Sequence, residues 1–130
     1  MLGDSKTFGS FSVDSIDTVR DFYASTLGLR VAEEKEMDVL LLKLAGDRDV
    51  VVYPKENHEP ASFTVLNFVV DDIGKTVDDL VARGVTFERY EQFTQDDKGI
   101  MRDEGAGPAI AWFKDPAGNV LAVMEDPGQG

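Results

Sequence analysis

Phe11-Ser12-Val13-Asp14-Ser15-Ile16 and Phe68-Val69-Val70-Asp71-Asp72-Ile73 share one layout: an apolar strand end, side chains able to cap a helix, and the first apolar residue of that helix. Each leads into a helical stretch closed by a glycine, Gly28 in the first case and Gly84 in the second. The chain therefore reads as one structural unit written twice. A unit of half a chain cannot bury its own apolar face, so the two copies are expected to pack together, with any pocket between them.

Working outward, residues 8–13 alternate large apolar with small polar side chains, the period of a half-buried strand. Ile16, Val19, Phe22, Tyr23 and Leu27 recur at three- and four-residue spacings and predict a helix that Asp14 or Ser15 caps. Residues 29–34, 39–44 and 49–53 read as strands, joined by turns at Glu34-Lys35-Glu36 and Gly46-Asp47-Arg48. This makes a βαβββ unit, and the polar stretch 54–62 reads as a linker. In the second copy, residues 63–70 predict a strand, and Ile73, Val77, Leu80 and Val81 form the buried stripe of a helix. Residues 85–91, 109–113 and 119–125 predict the remaining strands, the last two joined by Asp115-Pro116-Ala117-Gly118-Asn119. The expected class is α+β: a single domain over residues 1–130, with modules at about 8–54 and 63–125.

With 130 residues, 42% hydrophobic and 29% charged, the chain is sized for one core. No apolar run approaches the roughly 18 residues that span a bilayer, and the first residues lack a basic stretch followed by an apolar one, so a soluble cytoplasmic protein is expected. The absence of cysteine excludes disulfides, thiolate metal sites and a Cys nucleophile. A formal net charge of -12 repels phosphate backbones and anionic lipid, which argues against nucleic-acid and membrane partners and favours cationic or neutral ligands. Solubility alone also accounts for such a charge.

Three groups of residues carry a family resemblance: Phe22-Tyr23 with Leu27-Gly28-Leu29, Val70-Asp71-Asp72, and Phe113-Lys114-Asp115-Pro116-Ala117-Gly118-Asn119 before a last apolar strand. Together they resemble the vicinal oxygen chelate superfamily, which includes glyoxalase I, extradiol dioxygenases, fosfomycin-modifying enzymes and bleomycin-binding resistance proteins. The resemblance spans residues 8–125 and implies two βαβββ modules forming curved sheets around a cleft, commonly completed by a partner subunit, hence a homodimer. Because these motifs are turns and helix ends, they bear on fold and say little about chemistry.

The resemblance also implies where metal-dependent members carry their ligands, on the first and last strand of each module. Carried over by spacing, the four positions fall on Phe8, Val52, Val65 and Ala122. A divalent ion needs lone pairs from His, Glu or Gln there, and these side chains offer none. The neighbours Thr7, Gly9, Val51, Thr64, Leu66, Leu121 and Val123 include no His or carboxylate, and a one-residue slip would turn the side chain to the other face. No metal and no cofactor are expected.

A cleft with apolar walls can still bind a guest. If Phe8 faces inward, alternation places Ser10 and Ser12 beside it, Asn67 and Val69 beside Val65, and Val120 and Met124 beside Ala122. Val52 completes this wall on the fourth strand. In the long connection 93–108, Met101 is a candidate to cover a ligand and Trp112, on the next strand, to stack on it. The only imidazole, His58, reads either as a general base beside Glu56 and Glu59 or as a solvated loop residue. No nucleophile elbow, phosphate loop or dinucleotide fingerprint is present. The expected function is metal-free binding of a small organic molecule, with drug sequestration of the bleomycin-resistance type as its most specific form. Its alternatives are a glyoxalase-like isomerase or lyase using His58, Glu91 or Asp103 as base, and a dimeric partner in a larger assembly.

Overall fold

In a computed structural model of the chain, which describes residues 1–102 and 107–126, contacts divide the protein into two compact units, Met1–Pro60 and Ala61–Gly130. Asp103, a candidate base on sequence grounds, lies outside the described residues.

The first unit is built on β1 (Gly9–Val13), β2 (Arg30–Glu34), β3 (Val39–Leu44) and β4 (Arg48–Pro54), in the sheet order β1-β4-β3-β2. β1 runs parallel to β4 and the remaining pairs are antiparallel. Asp38 and Asp47 adopt left-handed backbone at the two hairpin turns, a conformation that Asp, with its short side chain, tolerates better than most residues. Helix α1 (Ile16–Asp21) starts at Ser15, whose Oγ accepts a hydrogen bond from the Asp17 amide. The predicted helix continues, but as a π-helical turn over Phe22–Thr26, where the Leu27 amide donates to the Phe22 carbonyl. A single widened turn is too short to leave a period of its own in the sequence, so periodicity alone does not reveal it. It buries Tyr23 with its ring centroid 6.2 Å from that of Phe11.

The register makes Phe11, Val52 and Leu40 neighbours in one row across the sheet, and all three are buried. Ile16, Val19 and Tyr23 are buried too, and α1 packs on β3 and β4, so this row is the core of the unit.

The second unit holds β5 (Thr64–Val70), α2 (Ile73–Ala82), β6 (Ile110–Lys114) and β7 (Val120–Glu125), with sheet order β5-β7-β6. The Asp72 carboxylate accepts from the Lys75 amide at the start of α2, and Gly84 follows its end with φ 97. Here the structure departs from the sequence expectation. Residues 85–91 do not form a strand; their backbone joins the sheet through a bridge, Phe87 to Phe113, and a hydrogen bond from the Glu88 amide to the Trp112 carbonyl. The Gln95 carboxamide takes the place of a further strand partner: its Oε1 accepts from the Tyr90 amide and its Nε2 donates to the Glu88 carbonyl. A side chain thus satisfies backbone groups that a ladder would otherwise claim. Among the described residues no helix is long and apolar enough to cross a membrane.

The turn between β6 and β7 is organised by the buried Asp115. Its Oδ1 accepts from the amides of Ala117 and Asn119, both at 2.9 Å, while the Asn119 side-chain Oδ1 accepts from the Ala61 amide at 3.1 Å. Removing the buried Asp115 carboxylate strands the Ala117 and Asn119 amides. We expect Asp115→Ala to lower the unfolding free energy by about 3 kcal/mol, read as a lower urea midpoint at unchanged slope, and Asp115→Asn to cost less.

Candidate functional site

Since Phe11 and Val13 lie under α1, strand alternation sends Ser10 and Ser12 to the opposite, helix-free face. Register sets Val51 and Tyr53 of β4 beside them. Val52, a wall residue on sequence grounds, belongs instead to the Phe11 row and is 0% exposed, so it is a core residue that no ligand on the Ser10 face can touch. The spacing argument placed it one residue off, because it had no register to tie β4 to β1. Phe8 precedes β1 and stands 70% exposed.

The helix-free face of the first sheet carries one chemically capable group that sequence reading left ambiguous. The Lys55 amide donates to the Val13 carbonyl, which extends the β1–β4 ladder into the linker, and the His58 amide donates to the Lys55 carbonyl to form a turn. That turn brings the imidazole Nδ1 of His58 to 2.7 Å from Ser12 Oγ. Both residues are half-buried. His58 is thus oriented rather than loose, with the proton between the pair carried by one partner or the other according to tautomer. Composition of the linker could not show this, since the turn depends on a backbone bond to a strand more than forty residues earlier.

In the second unit the Glu125 carboxylate accepts from the Ile73 amide at the start of α2, so Leu121 and Val123, which share its face of β7, lie on the helix side. Ala122 therefore points the other way, and register aligns it with Asn67 of β5 and Trp112 of β6 in a row across the helix-free face. Val65 is the extra residue of a bulge between Thr64 and Leu66, where alternation is interrupted, so counting in twos from Asn67 does not fix its face. Ala122 is fully buried, whereas Asn67 is exposed. Trp112 anchors an aromatic cluster: the Phe93 ring stacks on it at 5.1 Å and 12°, and the Tyr90 ring meets it edge-on at 5.4 Å. A ring thus already occupies one face of Trp112. Met101 pairs by backbone with Ile110, two residues from Trp112 on β6, through hydrogen bonds of 2.8 and 3.1 Å. The sequence reading found Met101 and Trp112 but missed Tyr90, Phe93 and Gln95. The aromatic pair three residues apart in a stretch without periodicity was the available signal.

None of the four positions at which the resemblance implies metal ligands carries a donor atom, nor do the register neighbours Ser10, Val51, Tyr53, Asn67 and Met124 offer imidazole or carboxylate. Among the described residues no three His, Cys, Asp or Glu side chains converge. The donor set does not fit a divalent ion of the metal-dependent type.

A family model described as the Glyoxalase/Bleomycin resistance protein/Dioxygenase superfamily matches residues 9–123. Solved structures of similar fold include TnmS3, an antibiotic binding protein from Streptomyces sp. CB03234, with a TM-score of 0.68 and 22% identity over 94% of this chain and 97% of that one. The fosfomycin resistance protein FosX from Listeria monocytogenes aligns with a TM-score of 0.71 and 8% identity, over 95% and 93% of the two chains. Lactoylglutathione lyase from Agrobacterium tumefaciens aligns with a TM-score of 0.60 and 17% identity, over 98% and 97%. At these identities the likeness is one of fold. No curated protein matches the chain by sequence.

Burial raises the Tyr90 phenol above its usual 10.0, and the nearby Glu88 charge adds to this. The folded state then keeps a proton that the unfolded chain has already released, so stability falls as pH rises above about 10. Denaturant titrations of the parent and Tyr90→Phe should coincide near neutrality, apart from a constant offset, and diverge above pH 10, with the parent losing stability more steeply.

Proposed function

This chain belongs to the Glyoxalase/Bleomycin resistance protein/Dioxygenase superfamily, and we propose that within it the protein binds a small organic molecule without a metal ion, in the manner of a sequestering resistance protein. The observation that carries this reading is the make-up of the helix-free sheet faces. Ser10, Ser12, Val51 and Tyr53 on the first sheet, and Asn67 and Trp112 on the second, combine apolar area with hydroxyl and amide groups, and among the described residues no cluster of metal donors lies there. That mix suits reversible binding of an organic guest. Met101 and Trp112 are proposed ligand contacts on the second unit, and Ser10 and Ser12 on the first; Val52 and Ala122, both fully buried, are left out of the site. The existence of an antibiotic binding protein with this fold supports the reading. A homodimer is part of the proposal, and the exposed Phe8, Phe63 and Val69 supply apolar area for one.

A second reading is favoured by one distance, the 2.7 Å between Ser12 Oγ and His58 Nδ1. An imidazole held in one orientation can take a proton from a bound substrate, which is what a metal-independent isomerase or lyase requires. Glu91, the other described candidate base, is exposed in a turn.

A thermal-shift screen over small aromatics of each charge, followed by assays for turnover of the hits, separates the two. The sequestering reading expects a melting-temperature rise of about 5 °C or more at a hundredfold excess over Kd, unchanged product-free mixtures, and the same shift in His58→Gln. Turnover that disappears in His58→Gln would establish the enzyme reading, and no shift with any compound would contradict both.

A further inference from the structure

Gln92, Phe93, Thr94, Met101 and Arg102 line a pocket of about 370 Å³ that lies wholly within the second unit. The segment around it reads in sequence as a long loop, yet it is heavily tied down. The Gln95 Nε2 donates to the carbonyls of Glu88 and Gly99, and the Arg89 guanidinium donates to the carbonyls of Asp96 and Asp97. Asp96 Oδ1 accepts from the amides of Lys98 and Ile100, and Ile100 is buried. Gly99 turns the chain at φ 85, where a Cβ would come to 3.2 Å from the Phe87 Cβ. The backbone between the two stretches that line the pocket is therefore held in place, which lowers the ordering cost of binding.

Its chemistry is specific. Phe93 has one face on Trp112 and remains 39% exposed, a platform for a second ring. Met101 adds a polarizable apolar edge. Arg102 pairs with Asp96 only at 3.8 Å, with both side chains about half exposed, and a contact of that kind is worth at most about 1 kcal/mol. The guanidinium is thus available to exchange this partner for a bidentate one. The overall charge of -12 opposes an anion at long range, but exposed charges beyond about 8 Å are screened at physiological salt, so the Arg102 cation in the pocket wall decides the local preference. Asp96, 3.8 Å from the same guanidinium, offsets part of that charge and so favours a guest with no more than one negative charge.

We propose that this pocket binds a planar aromatic ring bearing one carboxylate or similar anionic group, with the ring on Phe93 and Met101 and the anion on Arg102. The inference rests on the small-molecule reading above and names a ligand class for it. It also reverses, for this pocket, the preference for cations that net charge suggests.

Trp112 is the chain's only tryptophan, so its indole N–H signal in a nitrogen–proton correlation spectrum reports on the Phe93 stack without assignment of the rest. The full chain would be titrated with naphthoate, naphthamide and naphthylmethylammonium. We expect a saturable shift of the indole signal with naphthoate, at least about tenfold weaker binding of the other two, loss of that preference in Arg102→Gln, and loss of the indole response in Phe93→Ala. Arg102 is exposed, so its substitution leaves the fold in place. Naphthylmethylammonium binding as tightly as naphthoate, a charge preference that survives Arg102→Gln, or no response to naphthoate would each overturn the proposal. In the last case, compounds that still raise the melting temperature would leave the broader binding reading standing, and their absence would remove both.

Discussion

Burial of the row Phe11–Val52–Leu40 beneath α1 decides which face of the first sheet is left for chemistry. Once three large side chains are committed to the core, alternation leaves Ser10, Ser12, Val51 and Tyr53 no choice of side. The position of His58 follows from the same constraint, because the linker continues the β1–β4 ladder through Lys55 and turns the imidazole onto Ser12. A one-residue change in register would bury the serines and expose Phe11, at a cost of about 1.5–3 kcal/mol for each large apolar side chain returned to water.

The second unit reaches a similar result with fewer strands. Where a fourth strand was expected, Gln95 satisfies the backbone of Glu88 and Tyr90, and Asp115 gathers the amides of the β6–β7 turn. Side-chain hydrogen bonds of this kind free residues 85–102 from a flat ladder. That freedom allows Phe93 and Tyr90 to close on Trp112 and leaves a pocket edged by Met101 and Arg102.

Most of the fold was legible in the two strand–cap–helix junctions, because capping residues, apolar spacing and terminal glycines are all local signals. Strand ends differed from the observed ones by a residue or so, as at Gly9 and Thr64. What sequence did not show depended on partners distant in the chain. The π-helical turn over Phe22–Thr26 sets Tyr23 against Phe11, Gln95 bonds the backbone where a strand at 85–91 was expected, and the place of Val52 follows from its register with Phe11. The site was legible in the identities of its side chains, since those at the positions carried over for ligands offer no donor atom in sequence or in register. It was not legible as chemistry supplied: the Ser12–His58 pair and the Phe93–Trp112 stack are contacts across loops without any periodic signal.

The function proposed above requires that these sheet faces take up organic surface and hold no divalent cation. Inductively coupled plasma mass spectrometry on protein purified without chelator tests it most directly, paired with melting curves recorded before and after treatment with EDTA. The account predicts a metal content far below one ion per chain and superimposable melts. One zinc, nickel, manganese or iron per chain, removed by EDTA with a fall in melting temperature, would contradict it.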